Sequence, residues 1–225
     1  MSAPNRNAPP LLSVAAPDKP IRVVAFGDFG TGPALMMNGG DLYEPATCTR
    51  PHHLGAIHGW LLSGGNFTAI DVPGAAYTSL FGINPGGDIV GSYMTVVGGP
   101  WHGFLLRDGA FTLIDLPGAP GGTFVVGINP AGDISGSYCT DAMPCGLNSG
   151  NWHGFVLRDG EITSFDFPGA IFTLALHINP SGQIVGRYRG ADGNYHGFLR
   201  SGEEFSSIDF PGAACTIATG INAPR

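Results

Sequence analysis

Charge is scarce in this chain of 225 residues: Asp, Glu, Lys and Arg together supply only 12% of it, and nowhere do basic residues cluster. With a net charge of −7, that scarcity argues against a nucleic-acid backbone or an anionic membrane surface as partner. Long hydrophobic runs are missing too. None approaches the roughly 18 apolar residues that suggest a membrane span. No stretch keeps a helical period, and no complete catalytic motif or cofactor fingerprint can be read, so neither an enzyme nor a cofactor is expected. The opening MSAPNRNAPPLLSVAAPDKP has no apolar stretch long enough for a signal peptide, and residues 1–20 read as a disordered leader.

What the chain has in abundance is turn-forming residues, 37 glycines and 19 prolines, set at regular places between apolar runs. They punctuate a repeat. His-Gly-aromatic recurs at His58, His102, His153 and His196, with spacings of 44, 51 and 43 residues. Each full unit continues with a turn, an apolar strand ending in Asp, then Pro-Gly-Ala, a Thr, an Ile-Asn pair, a glycine turn and Ile-x-Gly-x-Tyr. A fixed period of this size points to a repeat architecture. The units are 58–101, 102–152, 153–195 and a shortened 196–225, preceded by 21–57 as N-terminal strands or a closing segment.

The turns have mechanisms of their own. Asp108-Gly109 and Asp159-Gly160 suit two-residue hairpins that need positive φ, and Pro117-Gly118 suits a type II turn. Between them lie runs such as Phe111–Asp115 and Phe124–Ile128, rich in β-branched and aromatic residues. Four short antiparallel strands in about 40–45 residues match one propeller blade. The expected fold is therefore all-β, a propeller-like array of about four four-stranded blades; a β-sandwich or a solenoid is the alternative. Asp41–Tyr43, in a stretch similar to the glycine turn and Ile-x-Gly-x-Tyr strand, is expected to supply a strand that closes the ring on the last unit. The competing expectation is a fragment of a longer array.

The signature HGFLL…G…IDxPGA…T…GINxxGxIVGxY resembles that of the HAF repeat family of bacterial proteins, over residues 58–222. The resemblance implies a propeller-like array in an extracellular or envelope-associated protein, and no particular activity. His177, where 82, 127 and 220 are Gly, departs from the pattern. A second stretch, IRVVAFGDFGTG with the later GGDLYEP, resembles the first strand and metal-binding loops of calcineurin-like metallophosphoesterases. That likeness implies Asp28 and Asp41 as metal ligands, but the His-containing segments that complete such a centre are missing, and two carboxylates do not assemble it.

Several residue groups are candidates for chemistry. His58, His102, His153 and His196 recur with Asp71, Asp115, Asp166 and Asp209, and with Thr78, Thr123, Thr173 and Thr216. A His and an Asp together suggest acid–base catalysis or metal binding, yet a catalytic site occurs once and this trio occurs four times. The expected role is a buried hydrogen-bond network that shapes each blade, with Asp115→Ala costing about 1–3 kcal/mol. Cys139 and Cys145, inside the insertion that lengthens the second unit, are expected to form a local disulfide. Cys48, His52, His53 and His58 lie close in sequence without zinc-site spacing, and a Cys48–Cys215 pair is a weaker possibility.

The segments before each His vary most: 94–101, 139–152 and 189–195. They are expected to connect successive blades on one face. Trp101, Trp152 and Tyr195 end them, either as platforms for a ligand or as wedges between blades. Asp141, Asn148 and Asn151 add hydrogen-bonding groups to the longest of the three. The functional expectation is a non-catalytic binding or scaffold module acting through these inter-blade loops on a glycan, peptide or envelope component, as a monomer or part of a longer array. The alternatives are a metal-dependent hydrolase, with 21–45 a phosphoesterase-like relic, and a purely structural part of a larger surface protein.

Overall fold

The computed structural model describes residues 22–27, 57–142 and 144–223. Among them are fifteen strands and no helix, in four antiparallel sheets. The first sheet is β1 (Arg22–Gly27), β2 (His58–Ser63) and β3 (Asn66–Ile70). The second is β4 (Tyr77–Ile83), β5 (Ile89–Met94), β6 (His102–Arg107) and β7 (Ala110–Ile114). β8 (Gly122–Ile128), β9 (Ile134–Cys139), β10 (Trp152–Arg158) and β11 (Glu161–Phe165) form the third. The fourth holds β12 (Phe172–Ile178), β13 (Ile184–Arg189), β14 (Tyr195–Ser201) and β15 (Glu204–Ile208). The leading strands β4, β8 and β12 touch in succession, and each also packs on the preceding sheet. This is the all-β, propeller-like array of blades that the repeat implied.

The sheets are out of phase with the sequence repeat. A unit counted from its histidine begins at the third strand of one sheet and ends at the second strand of the next. The histidine strand pairs backwards with the Ile-x-Gly-x-Tyr strand as well as forwards into its hairpin, as in Tyr93↔His102 and Gly103↔Ile114. The Pro-Gly turn is what passes between sheets, with Gly118 at φ 80°. One expectation is thereby corrected. The variable segments 94–101, 139–152 and 189–195 join second to third strands within one sheet, and the inter-sheet connections are the Asp-x-Pro-Gly segments.

Packing follows from this order. β5, β8, β9, β12 and β13 are buried almost throughout and β4 is part-buried, while β7, β11 and β15 are mostly exposed. Each gap between sheets is filled from both sides: Val90 and Ile114 meet Val125, Ile134 and Phe155 in one, and Val156 and Phe165 meet Ala175, Ile184 and Phe198 in the next. The repeated glycine of Ile-x-Gly-x-Tyr has a steric cause. A Cβ on Gly91 would lie 2.7 Å from the Phe104 ring, and one on Gly136 2.8 Å from the Phe155 ring. The hairpin reading holds as well: Asp108 and Asp159 are at φ 51° and 50°, each followed by a left-handed Gly.

The two ends of the array differ. Beside β2, the place of a second strand is taken by Arg22–Gly27; Asp41–Tyr43, assigned to ring closure, lies outside the described residues. At the other end, residues 216–222 contact the fourth sheet as a leading strand of a further sheet would. Thr216 N donates to Tyr195 O as Thr123 N does to Trp101 O, and Asn222 O accepts from Asn179 Nδ2 as Asn179 O does from Asn129 Nδ2. His177 lies against this segment, beside the Ile221 backbone. At Gly82 and Gly127 a Cβ would meet the next sheet's backbone at 3.1 and 3.2 Å. Burial holds His177 below its usual pKa, against a hydrogen bond with the Ile221 backbone.

Candidate functional site

The four His–Asp pairs form as the repeat required. Nδ1 of His58, His102, His153 and His196 lies 2.9, 3.0, 2.9 and 2.8 Å from Asp71, Asp115, Asp166 and Asp209. Each histidine is the first or second residue of its strand and each aspartate directly follows the next strand, so the pair clips the end of the outer hairpin. Burial corrects the expectation attached to them. The histidine side chains are 24–32% exposed and the aspartates 40–49%, so these are surface pairs, whose usual worth is about 0–1 kcal/mol. His196 is raised above its ordinary pKa, first by Asp209 and further by Asp192. That stabilisation is complete below about pH 6.5 and is lost as pH rises through the raised value.

The buried work falls to the threonines. Thr78, Thr123, Thr173 and Thr216 accept a hydrogen bond from the backbone N–H just after each aspartate, at Val72, Leu116, Phe167 and Phe210, over 3.0–3.1 Å. Thr78, Thr123 and Thr173 are at most 1% exposed. They pin the inter-sheet turn to the sheet that follows it, and an unpaired N–H there would be costly.

A second network went unread in the sequence. Asn129 Oδ1 accepts from the N–H groups of Ala131 and Asp133, while its Nδ2 donates to Asp133 and to Asn179 O of the next sheet. Asn179 repeats this with Ser181, Gln183 and Asn222. Arg107 holds Asp88, and Arg158 holds Asp133; the fourth sheet substitutes the neutral pair Gln183–Ser201. The recurring Ile-Asn was visible, but its cross-sheet partner lies 50 residues away.

One place departs from the repeat. Between β9 and β10, residues 140–142 and 144–151 form a platform tied down from several sides. Cys139 and Cys145 form a disulfide. Asp141 accepts from the Asn151 backbone N–H and, at 2.6 Å, from its side-chain amide. Trp152 is 1% exposed, and its indole N–H donates to Gly146 O and Ser149 O from beneath the loop. Arg187, 2% exposed, donates to Leu147 O and Asn148 Oδ1. Its guanidinium carbon is 4.9 Å from the centre of the Tyr195 ring, whose hydroxyl bonds Asn148 O.

These facts place the residues proposed for binding. Trp152 is a wedge, one of the two roles its position allowed; its ring offers no face to a ligand. Trp101 and Tyr195 are half-buried and pack edge-on against Phe124 and Phe172. Asp141 braces the loop rather than facing outward alone. Asn148 and Asn151, with Ser149, Gly150, Ile171, Phe172 and Arg189, line a cleft of about 200 Å³ between the platform and the start of the fourth sheet. Sequence reasoning missed Arg187 and Arg189; the signal was Arg187 standing where the other repeats have Ser92 and Ser137.

Other chemistry finds less support in this geometry. Cys139, Asp141 and Cys145 bring ligand atoms within 4.8 Å of one another, but in the disulfide neither sulfur is a thiolate, and Asp141 is held by Asn151. Thr140 Oγ1 is 3.5 Å from His153 Nε2, which with Asp166 makes a Thr–His–Asp line. That distance is at the limit of a hydrogen bond, and the same nitrogen of His196 faces Asp192 instead. The outer nitrogen ties the local loop. Asp28, Asp41, Cys48, His52 and His53 lie outside the described residues, and Cys215 is exposed and free. No helix among the described residues is long and apolar enough to cross a membrane.

No family model matches the chain, and no curated protein does. Solved structures do match. One is an acylaminoacyl peptidase in complex with Z-Gly-Gly-Phe-chloromethyl ketone, at 12% identity and a TM-score of 0.49, covering 84% of this chain and 30% of that one. Another is the Pyrococcus horikoshii acylaminoacyl peptidase in an orthorhombic crystal form, at 12% identity and a TM-score of 0.50, covering 85% of this chain and 30% of that one. The chain thus spans less than a third of the length of either. At such identity the second likeness bears on the fold alone, and it agrees with a propeller-like array.

Proposed function

We propose that this chain is a non-catalytic, extracellular or envelope-associated binding module of the HAF repeat type, which takes a glycan, peptide or envelope component on the face that carries residues 139–152. The observation that carries this reading is the braced platform with its cleft. Side chains in a repeat array can vary at loops without disturbing the sheets, and here the variation is concentrated in one loop. That loop is held by a disulfide, a buried indole and a buried guanidinium. A surface already ordered in this way loses little entropy when a ligand arrives. The His–Asp pairs support the non-catalytic side of the reading, because four near-copies at sheet ends are what a structural clip requires.

The test is binding of the purified chain to glycan and peptide arrays, beside a Ser149→Trp variant that fills the cleft. Ser149 is exposed, so the variant should keep the parent's thermal midpoint. Array signals should be present for the parent and lost in the variant. Signals that survive unchanged would place binding elsewhere, and no signal for the parent on either array would overturn the reading.

A further inference from the structure

We infer that the cleft selects an acidic saccharide, seating one hexuronate ring with its carboxylate on Arg189; this rests on the binding-module reading above. The charge pattern points there first. Of the arginines whose side chains are described, Arg107, Arg158 and Arg200 lie on Asp88, Asp133 and Glu203. Arg187 is turned inward to the platform. Arg189 donates its Nε to Gly193 O and, among the described residues, forms no ion pair. It is exposed and lines the cleft, so its terminal nitrogens are available as a planar pair of donors. A guanidinium so placed matches a carboxylate through two parallel hydrogen bonds.

The remaining walls suit a sugar. Asn148, Ser149 and Asn151 form the polar side. The Asn151 amide nitrogen is committed to Asp141, so what this exposed side chain offers a hydroxyl is its carbonyl oxygen, an acceptor, and Ser149 supplies a group that both donates and accepts. An acceptor beside the cation fits hydroxyl-bearing ligands better than phosphate or sulfate. Ile171, 61% exposed, gives an apolar patch for the carbon face of the ring. Phe172 is only 4% exposed, so there is no deep apolar socket of the kind a peptide's last side chain would need. The volume, about 200 Å³, is below the range of roughly 300 Å³ and upward that drug-sized ligands occupy, and suits a single ring.

Calorimetric titration of the full chain with tri-uronates (galacturonate, glucuronate, mannuronate and guluronate) and their carboxyl-reduced counterparts tests this. At least one acid should bind, roughly tenfold or more tighter than its reduced form, the order expected of one charge-assisted contact. Arg189→Gln should abolish that preference and leave the thermal midpoint unchanged, Arg189→Lys should retain part of it, and Ser149→Trp should remove binding. Equal affinity for acid and reduced forms, or a preference that survives Arg189→Gln, overturns the inference. So does binding of no uronate. In that case peptides ending in a free carboxylate, or neutral glycans, that bind the parent and not Ser149→Trp would leave the binding-module reading standing, and silence from those too would remove both.

Discussion

The loops 94–101 and 139–152 hold the same place in neighbouring sheets, joining the second strand to the third, and they have little else in common. The shorter is a hairpin whose Val96 and Val97 are 60% and 55% exposed. The longer is closed by a disulfide and floored by a buried tryptophan. The difference reaches into the next sheet. Ser92 Oγ accepts from Val125 N, and Ser137 Oγ from Ala175 N, each a short link between adjacent sheets. At the equivalent position Arg187 instead reaches up to the platform, and Ala218 N turns to Gly186 O. An insertion in one sheet is matched by a substitution in the next, which is how a repeat acquires one distinct face without altering its plan.

The largest test of this contrast is Trp152→Ala against Trp101→Ala. Loss of the fully buried ring should cost about 3–5 kcal/mol, read by denaturant unfolding, and the half-buried Trp101 distinctly less. Equal costs would mean that the platform's floor is no more integral than the simple hairpin. Reducing Cys139–Cys145 comes next. A loop this short should lose about 2 kcal/mol in the chain-entropy model, and ligand affinity should fall with it if the platform's order matters. Two freely alkylated thiols in protein made under oxidising conditions would contradict the disulfide.

A smaller effect separates the two members of each turn. Thr123→Val orphans the buried Leu116 N–H and should cost about 1–3 kcal/mol, whereas Asp115→Ala removes an exposed pair and should cost under about 1 kcal/mol. The reverse order would restore the His–Asp pair as the main clip. The smallest effect is local and acid-driven. The Arg107 hydrogen bond holds Asp88 below its usual value, against burial. Its stabilisation is therefore present above about pH 3.9 and is lost as pH falls through the depressed value. Hydrogen exchange should show the amide of Asp88 losing protection there before that of Gln183, whose neutral contact to Ser201 does not titrate.

Much of the fold was legible because its causes are local. Asp-Gly and Pro-Gly turns, β-branched runs between them and a period near 44 residues specify strands and hairpins without reference to distant partners. The phase of the sheets was not legible, since a histidine strand can be counted with the strand before it or after it, and only pairing on both edges shows that it belongs with each. The site was half-legible. Asn148 and Asn151 stood out by composition, but Ile171 and Arg189 come from another sheet, and Trp152 was read before its burial was known.

From the sequence alone came the repeat, the strand-and-turn grammar, the His–Asp spacing and the pairing of two cysteines six residues apart, because each depends on neighbours along the chain. The tertiary structure decided which polar groups are buried, which sheet each strand joins and which exposed arginine, among the described residues, has no acidic partner. Those depend on side chains 20–50 positions apart meeting across a gap between sheets, where burial decides whether a hydrogen bond is worth a fraction of a kilocalorie or several.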